Sequence, residues 1–335
     1  MTFIDNLNCI IAGQNLTQEQ AADMITDIFS GTVTPARTGA FMAALATKGE
    51  TFEELAGAAR AMRRKAARIQ TLSKKVIDTC GTGGDASGSF NISTTAAFVV
   101  AGAGVTVAKH GNRSISSKCG SADVLEALGV NLDLDPEIVE EAVNEIGIGF
   151  MFAPRFHGAM KHAAQARKEC GIRSIFNMLG PLTNPAAASC QIVGVYAPAL
   201  TEMFAKALHV LGVENAFVVH GHDGMDEITT TDLTRVSRLS RGSIKSYDLD
   251  PLRYFDDYAD PADLMGGDVQ KNAGITSAVL DGEKGPRRDI VLINAGAALV
   301  AADAAKDIHQ GIDIAADAID SGRAMEKCRA LVRFT

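Results

Sequence analysis

Tryptophan is absent from this chain of 335 residues, and aromatic residues make up only 5% of it. A stacking platform for single-stranded nucleic acid is therefore not expected. Cysteine is sparse: Cys9, Cys80, Cys119, Cys170, Cys190 and Cys328 form no CxxC pair and no cluster with histidine at zinc spacing. Scattered thiols of this kind fit a reducing, cytoplasmic setting. No basic segment followed by an apolar core opens the sequence, so no signal peptide is expected. The most apolar stretch, residues 96–108, is broken by Gly102, Gly104 and Thr106. It is too short to cross a bilayer, so no membrane partner is expected. Lys and Arg number 32 against 40 Asp and Glu, for a net charge of −8. That balance disfavours binding long nucleic acid through the overall field. It leaves room for a local basic pocket around one phosphorylated small molecule.

What is present is ordinary globular composition, 47% hydrophobic and 21% charged, in a chain long enough for two domains. The first seventy or so residues read as helices. Thr17 to Gln20 and Thr51 to Glu54 fit capping boxes, and Thr34-Pro35 places proline in a first helical turn. Arg63, Arg64, Lys65 and Arg68 read as a solvated helix end, where cations suit the helix dipole. From Lys75 onward, short apolar runs alternate with helical segments. Strands are expected at 76–77, 105–108, 150–152, 192–195 and 216–219, and helices at 93–103, 121–128, 135–146, 157–170 and 201–211. The alternation argues for an α/β domain. Residues 228–247 alternate like antiparallel strands, and the tail from Ile290 reads as Ala-rich helix.

Four segments carry chemistry. Asp78-Thr79-Cys80-Gly81-Thr82-Gly83-Gly84-Asp85 follows the first strand. Its glycines let the backbone turn sharply and aim N–H groups at phosphate oxygens. It is neither a Walker A sequence nor GxGxxG, and glycines alone fit a ligand-free turn equally well. Asn91-Ile92-Ser93-Thr94-Thr95 precedes an apolar helix, where hydroxyls and free N–H groups suit an anion, or where Ser93 caps the helix. The run from Lys109 to Lys118 follows a strand and combines three fixed cations with His110, three serines and an asparagine. That mixture suits a polyphosphate. Further on, Asp226-Glu227 offers adjacent carboxylates, which in such a context suit Mg²⁺ shared with phosphate oxygens.

Together these segments resemble the anthranilate phosphoribosyltransferases of tryptophan biosynthesis. The resemblance rests on CGTGGD at 80–85, NISTT at 91–95, KHGNRSISSKCGSADVLEALGV at 109–130, FAPRFH at 152–157, RKECGIRSIFNMLGPLTNP at 167–185 and HGHDGMDE at 220–227. It spans most of the chain. Cys119 departs from the small residue, often Ser, more usual there, and Cys80 is an ordinary variant. The resemblance implies a small all-helical domain plus a large α/β domain with a central, mostly parallel sheet, a fold shared with pyrimidine nucleoside phosphorylases. Residues 1–72, joined by a helical insertion near 165–183, would form the helical domain, and 73–335 the domain that binds 5-phosphoribosyl 1-diphosphate. A homodimer is implied as well.

The same resemblance assigns roles by position. Gly81, Gly84, Asp85 and Ser89 would hold the ribose and diphosphate of 5-phosphoribosyl 1-diphosphate. Asn91, Ile92, Ser93 and Thr94 would bind its phosphates, and Lys109, Ser117 and Ser121 the remaining ones. Two Mg²⁺ ions are implied, one touched by Ser93 and one held by Asp226 and Glu227, with Glu227 facing both. His110, Asn112 and Arg167 would face anthranilate, while Pro154 and His157 shape its entry. The expected chemistry is departure of diphosphate from the ribose and capture by the aromatic amine, with Lys109, His110, Asp226 and Glu227 closest to it. A phosphorolytic nucleoside enzyme of the same fold would lack use for the acidic pair, and a nucleic-acid-binding relative conflicts with the −8 charge.

Overall fold

The computed structural model describes residues 1–85, 87–114 and 119–335. The chain opens with helices α1 (Phe3–Ile11), α2 (Gln18–Phe29), α3 (Pro35–Lys48) and α4 (Phe52–Lys65). Three of the four begin on a threonine capping box, at Thr2, Thr17 and Thr51, and Thr34 with Pro35 opens the other. Glu54, fully buried, does more than cap. Its Oε1 accepts the Leu16 N–H at 2.8 Å and its Oε2 accepts Lys48 Nζ at 3.0 Å, which fastens α4 to the loop before α2 and to the end of α3.

Beyond them run β1 (Val76–Gly81), α5 (Ile92–Gly102), β2 (Thr106–Gly111), α6 (Ser121–Ala127), α7 (Pro136–Glu145), β3 (Ile148–Phe152), α8 (Ala153–Phe156), α9 (Lys161–Cys170), α10 (Ile175–Met178) and β4 (Cys190–Gly194). Then come α11 (Leu200–Val210), β5 (Asn215–Gly221), β6 (Thr234–Ser240), β7 (Ser243–Leu249), α12 (Val269–Leu280), α13 (Pro286–Ala301), α14 (Ile308–Asp320) and α15 (Arg323–Phe334). The seven described strands form one sheet in the order β3-β2-β1-β4-β5-β6-β7. The first five are parallel, and β6 and β7 close the edge as an antiparallel hairpin. This is the helical-plus-α/β class with a mostly parallel sheet that the sequence implied.

Both sheet faces are covered, as parallel sheets require. Ile77, Val107, Ile192 and Phe217 point to the face packed by α5, α13, α14 and α15, while Cys80, Val193, Ala216 and Val218 join the core shared with α11 and the N-terminal helices. The α9 helix packs on α2 and α3, so a segment from the middle of the chain completes the N-terminal bundle. Among the described residues no helix is long and apolar enough to cross a membrane.

Several expectations need correction. Strand β2 continues through Gly111, so Lys109 and His110 lie in the strand rather than after it. Asn91, not Ser93, is the N-cap of α5, and it caps without a side-chain bond. Strand pairing does not begin at 228 but at Thr234. The tail is three helices, α13 to α15, and α12 precedes it without a clear helical period in the sequence. Arg63 is no solvated helix end: its Nε donates to the Leu182 carbonyl at 2.7 Å and its Nη1 to the Leu211 carbonyl at 3.1 Å. Burial, with Arg68 nearby, lowers its pKa to about 10.

Candidate active site

The carboxyl ends of β1, β2, β4 and β5 lie side by side, and the chemical residues gather there. Asp226 and Glu227 follow β5. Asp226 Oδ2 accepts the Gly83 N–H at 3.0 Å, and Glu227 Oε1 accepts the Ser93 N–H at 3.1 Å in the first turn of α5. The acidic pair thus ties the glycine turn to the hydroxyl-rich helix start, two segments more than 130 residues away in sequence. Two glycines make room for it. A Cβ on Gly81 would lie 2.6 Å from Asp226 Oδ2, and one on Gly194 would lie 1.6 Å from the Asp226 carbonyl oxygen.

Burial raises both carboxyl groups, Asp226 to about 7 and Glu227 to about 8; the charge of Asp85 pushes both the same way, and that of Asp226 adds to the rise at Glu227. Lys109 from β2 is a cation within their field. It is buried, its Nζ donates to the Thr79 carbonyl and lies 3.5 Å from Thr79 Oγ1, and Thr79 Oγ1 in turn donates to the Ser93 carbonyl at 2.9 Å. Burial lowers the Lys109 pKa, opposed by Asp78, Cys80, Glu227 and Asp226.

Asp78, at the head of the glycine turn, is a residue to which the sequence alone assigns no role. It is completely buried in β1, where Oδ1 accepts the His110 N–H at 3.1 Å and Oδ2 accepts the Asn184 amide at 2.7 Å. His110 Nδ1 faces the Gly180 carbonyl at 3.1 Å, which places the ring proton on Nδ1 and leaves Nε2 as the open lone pair among the described residues. The His157 ring stands edge-on to it at 4.9 Å between centroids. Burial lowers the His110 pKa and takes His157 down to about 3, so both rings are neutral at pH 7.

Asn91 is pinned from two sides. Its oxygen accepts the Asn272 amide at 3.0 Å, and its nitrogen donates to the Cys119 carbonyl at 3.4 Å, leaving a second amide hydrogen for a ligand. Ile92 and Thr94 are buried in the first turn of α5, and Thr94 Oγ1 has no partner among the described residues. Ser121 Oγ donates to the Asn112 carbonyl at 3.3 Å, just beyond β2. Asn112 Oδ1 accepts the Arg113 N–H at 2.8 Å. Ser89 hydrogen-bonds Ser87, which also holds Asp85 Oδ2 at 2.5 Å.

Other residues stand apart from this cluster. Arg113, one of the three cations of the loop, pairs with Asp123 and Glu126 instead. Ser117 and Lys118 lie outside the described residues. Arg167 on α9 has its guanidinium 5.8 Å from the Phe176 ring centroid and no hydrogen bond or ion pair among the described residues, and burial lowers its pKa. Pro154 lies in α8, two residues before the buried Phe156. Sequence reasoning missed Asn184 and Arg173. Only long-range contacts give them meaning, although both sit in motifs of the family. Among the described residues no three His, Cys, Asp or Glu side chains form a preassembled metal cage. Two adjacent carboxylates with raised pKa values nonetheless fit a hard divalent cation that completes its shell with phosphate and water oxygens.

The glycosyl transferase family model for the a/b domain matches residues 73–325, and that for the helical bundle domain matches residues 4–66. An anthranilate phosphoribosyltransferase from Desulfosudis oleivorans is 64% identical over 334 residues, covering 99% of this chain and 98% of its own. The chain belongs to the anthranilate phosphoribosyltransferase family. Solved members of that family share its shape. The enzyme from Thermus thermophilus superposes with a TM-score of 0.93 at 41% identity, covering 98% of this chain and 99% of that one. The Saccharomyces cerevisiae enzyme, solved in complex with PRPP and Mg, superposes with a TM-score of 0.90 at 26% identity over 99% and 97% of the two chains.

Proposed function

We propose that this chain transfers the 5-phosphoribosyl group of 5-phosphoribosyl 1-diphosphate to the amine of anthranilate, giving N-(5-phosphoribosyl)anthranilate and diphosphate. The observation that carries this reading is the acidic pair bonded at once to the glycine turn and to the N-terminus of α5. A relative solved with PRPP and Mg supports the donor, and one solved with 4-fluoroanthranilate supports the acceptor.

In this reading Gly81, Gly84, Asp85 and Ser89 hold the ribose and diphosphate. Asn91, Ile92, Ser93 and Thr94 bind phosphate at the N-terminus of α5, through its dipole, the Thr94 N–H and the side-chain hydroxyls and amide. Lys109, Ser117 and Ser121 bind the remaining phosphate groups. Ser93, Asp226 and Glu227 would hold Mg²⁺, two ions in all. Bound there, Mg²⁺ supplies positive charge that favours diphosphate as a leaving group. Asn112, His110 and Arg167 face the acceptor, and the Arg167 guanidinium suits a carboxylate in two-point contact.

An aromatic amine is a weak nucleophile, so the site must favour departure of diphosphate. The C1–O bond breaks as negative charge grows on the leaving group, which Lys109 and the backbone N–H groups stabilise in place. The amine nitrogen then bonds to C1 and loses a proton. His110, neutral and with a buried Nε2 that has no partner among the described residues, is the candidate acceptor for that proton, and a packing role beside His157 fits its burial equally well. Holding both partners in register is worth on the order of 7–11 kcal/mol at best. The helical domain, 1–72 joined by 165–183, would carry the acceptor side and a homodimer contact, in the cytoplasm.

The deciding assay follows anthranilate fluorescence after addition of 5-phosphoribosyl 1-diphosphate and Mg²⁺. Loss of fluorescence, blocked by a chelator and restored by metal, is expected. No loss with the activated pentose, or phosphate-dependent release of a pyrimidine base instead, overturns the reading.

A further inference from the structure

We propose that Arg173 is a positioning residue for the donor: it sets the direction of the backbone N–H of Asp85, and with it the anion-binding face of the glycine turn. The inference rests on the function proposed above. Arg173 stands just past α9, after Gly171 has ended that helix in the left-handed conformation. Its guanidinium lies 4.0 Å from the centroid of the Tyr196 ring, and Nη2 donates to the Gly84 carbonyl at 2.9 Å. The ring fixes the plane of the fork, and the fork fixes the carbonyl.

A trans peptide points its C=O and its N–H in opposite directions. Pinning the Gly84 carbonyl on Arg173 therefore turns the Asp85 N–H away from Arg173. That N–H has no acceptor among the described residues, so it is available to an anion. The tie also explains Gly84. Its φ is +79°, and a Cβ there would stand 2.7 Å from Arg173 Nη2, closer than side chains tolerate. The other side of the turn is anchored on the strand beside it. Thr82 N–H donates to the Gly194 carbonyl at 2.9 Å, and Tyr196 N–H donates to Thr82 Oγ1 at 3.2 Å. Tyr196 thus serves both anchors, one through its backbone and one through its ring.

The test measures steady-state kinetics for both substrates and calorimetric binding of 5-phosphoribosyl 1-diphosphate with Mg²⁺, in wild type, Arg173→Ala, Arg173→Lys, Tyr196→Phe and Tyr196→Ala. For Arg173→Ala the donor KM and Kd should rise about tenfold, the worth of one charge-assisted hydrogen bond. The anthranilate KM should move less than about twofold, a split that general loosening of the fold would not give. Tyr196→Phe should match wild type, Tyr196→Ala should follow Arg173→Ala, and Arg173→Lys should recover part of the donor affinity. An equal rise in both KM values, a rise for anthranilate alone, or unchanged donor binding overturns the inference. If wild type itself ignores the donor, the proposed function and this inference fall together. If wild type binds it and Arg173→Ala binds it equally well, only the inference falls.

Discussion

Replacing Gly194 by alanine tests whether the backbone of Asp226 must lie against the end of β4 for the site to work. The added Cβ would meet the Asp226 carbonyl oxygen at 1.6 Å and its carbon at 2.5 Å. Ordinary contact begins at 3.4 Å, so the Asp226 backbone must retreat by about 1.8 Å, and no side-chain rotation relieves a backbone clash. Gly194 is hydrogen-bonded into the sheet between Gly81 and Val219, so the strand cannot easily yield instead. A misplacement on the order of 1 Å in a reacting constellation costs roughly 10²-fold in rate. We expect Gly194→Ala to lower kcat/KM by about that factor or more and to raise the Mg²⁺ concentration needed for half activity. Overpacking should also remove about 1–3 kcal/mol of stability. Gly81→Ala makes the comparison for the backbone effect, because its Cβ meets Asp226 Oδ2, a side-chain atom that can swing away while the backbone stays, at the cost of the Gly83 hydrogen bond and of that oxygen's place toward Mg²⁺. Its activity should fall less. Coupled kinetic and thermal-unfolding measurements on both variants decide the matter. Gly194→Ala with wild-type kcat/KM and wild-type metal dependence would refute the reasoning.

Four further outcomes are expected. The native Asp226 and Glu227, raised to about 7 and about 8, keep protons that the unfolded chain has already released near pH 4. Their contribution to stability is thus present at low pH and lost as pH rises through 7 and 8. The rise in Tm on adding Mg²⁺ should therefore be larger near pH 8.5 than near pH 6, and equal rises would contradict it. Asp78→Ala strands the His110 N–H and one of the two Asn184 amide hydrogens, the other staying on the Ala108 carbonyl, and should cost about 2–4 kcal/mol in urea denaturation. Arg63→Ala removes two hydrogen bonds from α4, to the carbonyls of Leu182 and Leu211, and should cost about 2 kcal/mol by the same measurement. Arg167→Ala should raise the anthranilate KM roughly tenfold with little effect on the donor KM; the reverse pattern removes Arg167 from the acceptor side.

How much of this was legible depended on range. The capping boxes at Thr17 and Thr51 and the proline at 35 are local devices, three residues wide, and they were read where they stand. The glycine turn and the hydroxyl-rich helix start were legible for the same reason. Asp78, Asn184 and Arg173 were not, because their partners lie 32, 106 and 89 residues away. Arg63 was misread on the same ground, its acceptors being 119 and 148 residues distant. Strand β2 was cut short because its apolar run ends at Ala108, while the strand goes on to carry Lys109 and His110 into the site. Helix α12 hid because Gly274 and its scattered polar residues blur the helical period.

The order of the strands explains why these signals converge. From β1 the chain steps to β2 and β3 on one side, then crosses back to place β4 and β5 on the other. Connections leave the carboxyl ends of β1 and β4 in opposite directions, and an open α/β sheet binds its ligands at such a reversal. The acidic pair enters from the β5 side and must reach over β4 to meet the β1 turn. That path crosses the ends of two strands, and glycine stands at both, Gly194 and Gly81. Reach alone would leave a mobile loop. Asn294, buried in the apolar stretch of α13 that follows Asp289, holds it from beneath: its Oδ1 accepts the Ile228 N–H at 3.0 Å and its Nδ2 donates to the Ile228 carbonyl at 2.8 Å. A two-point clamp on the residue next to Glu227 gives a polar side chain in that core helix a physical purpose. It fixes the acidic pair where the sheet topology opens.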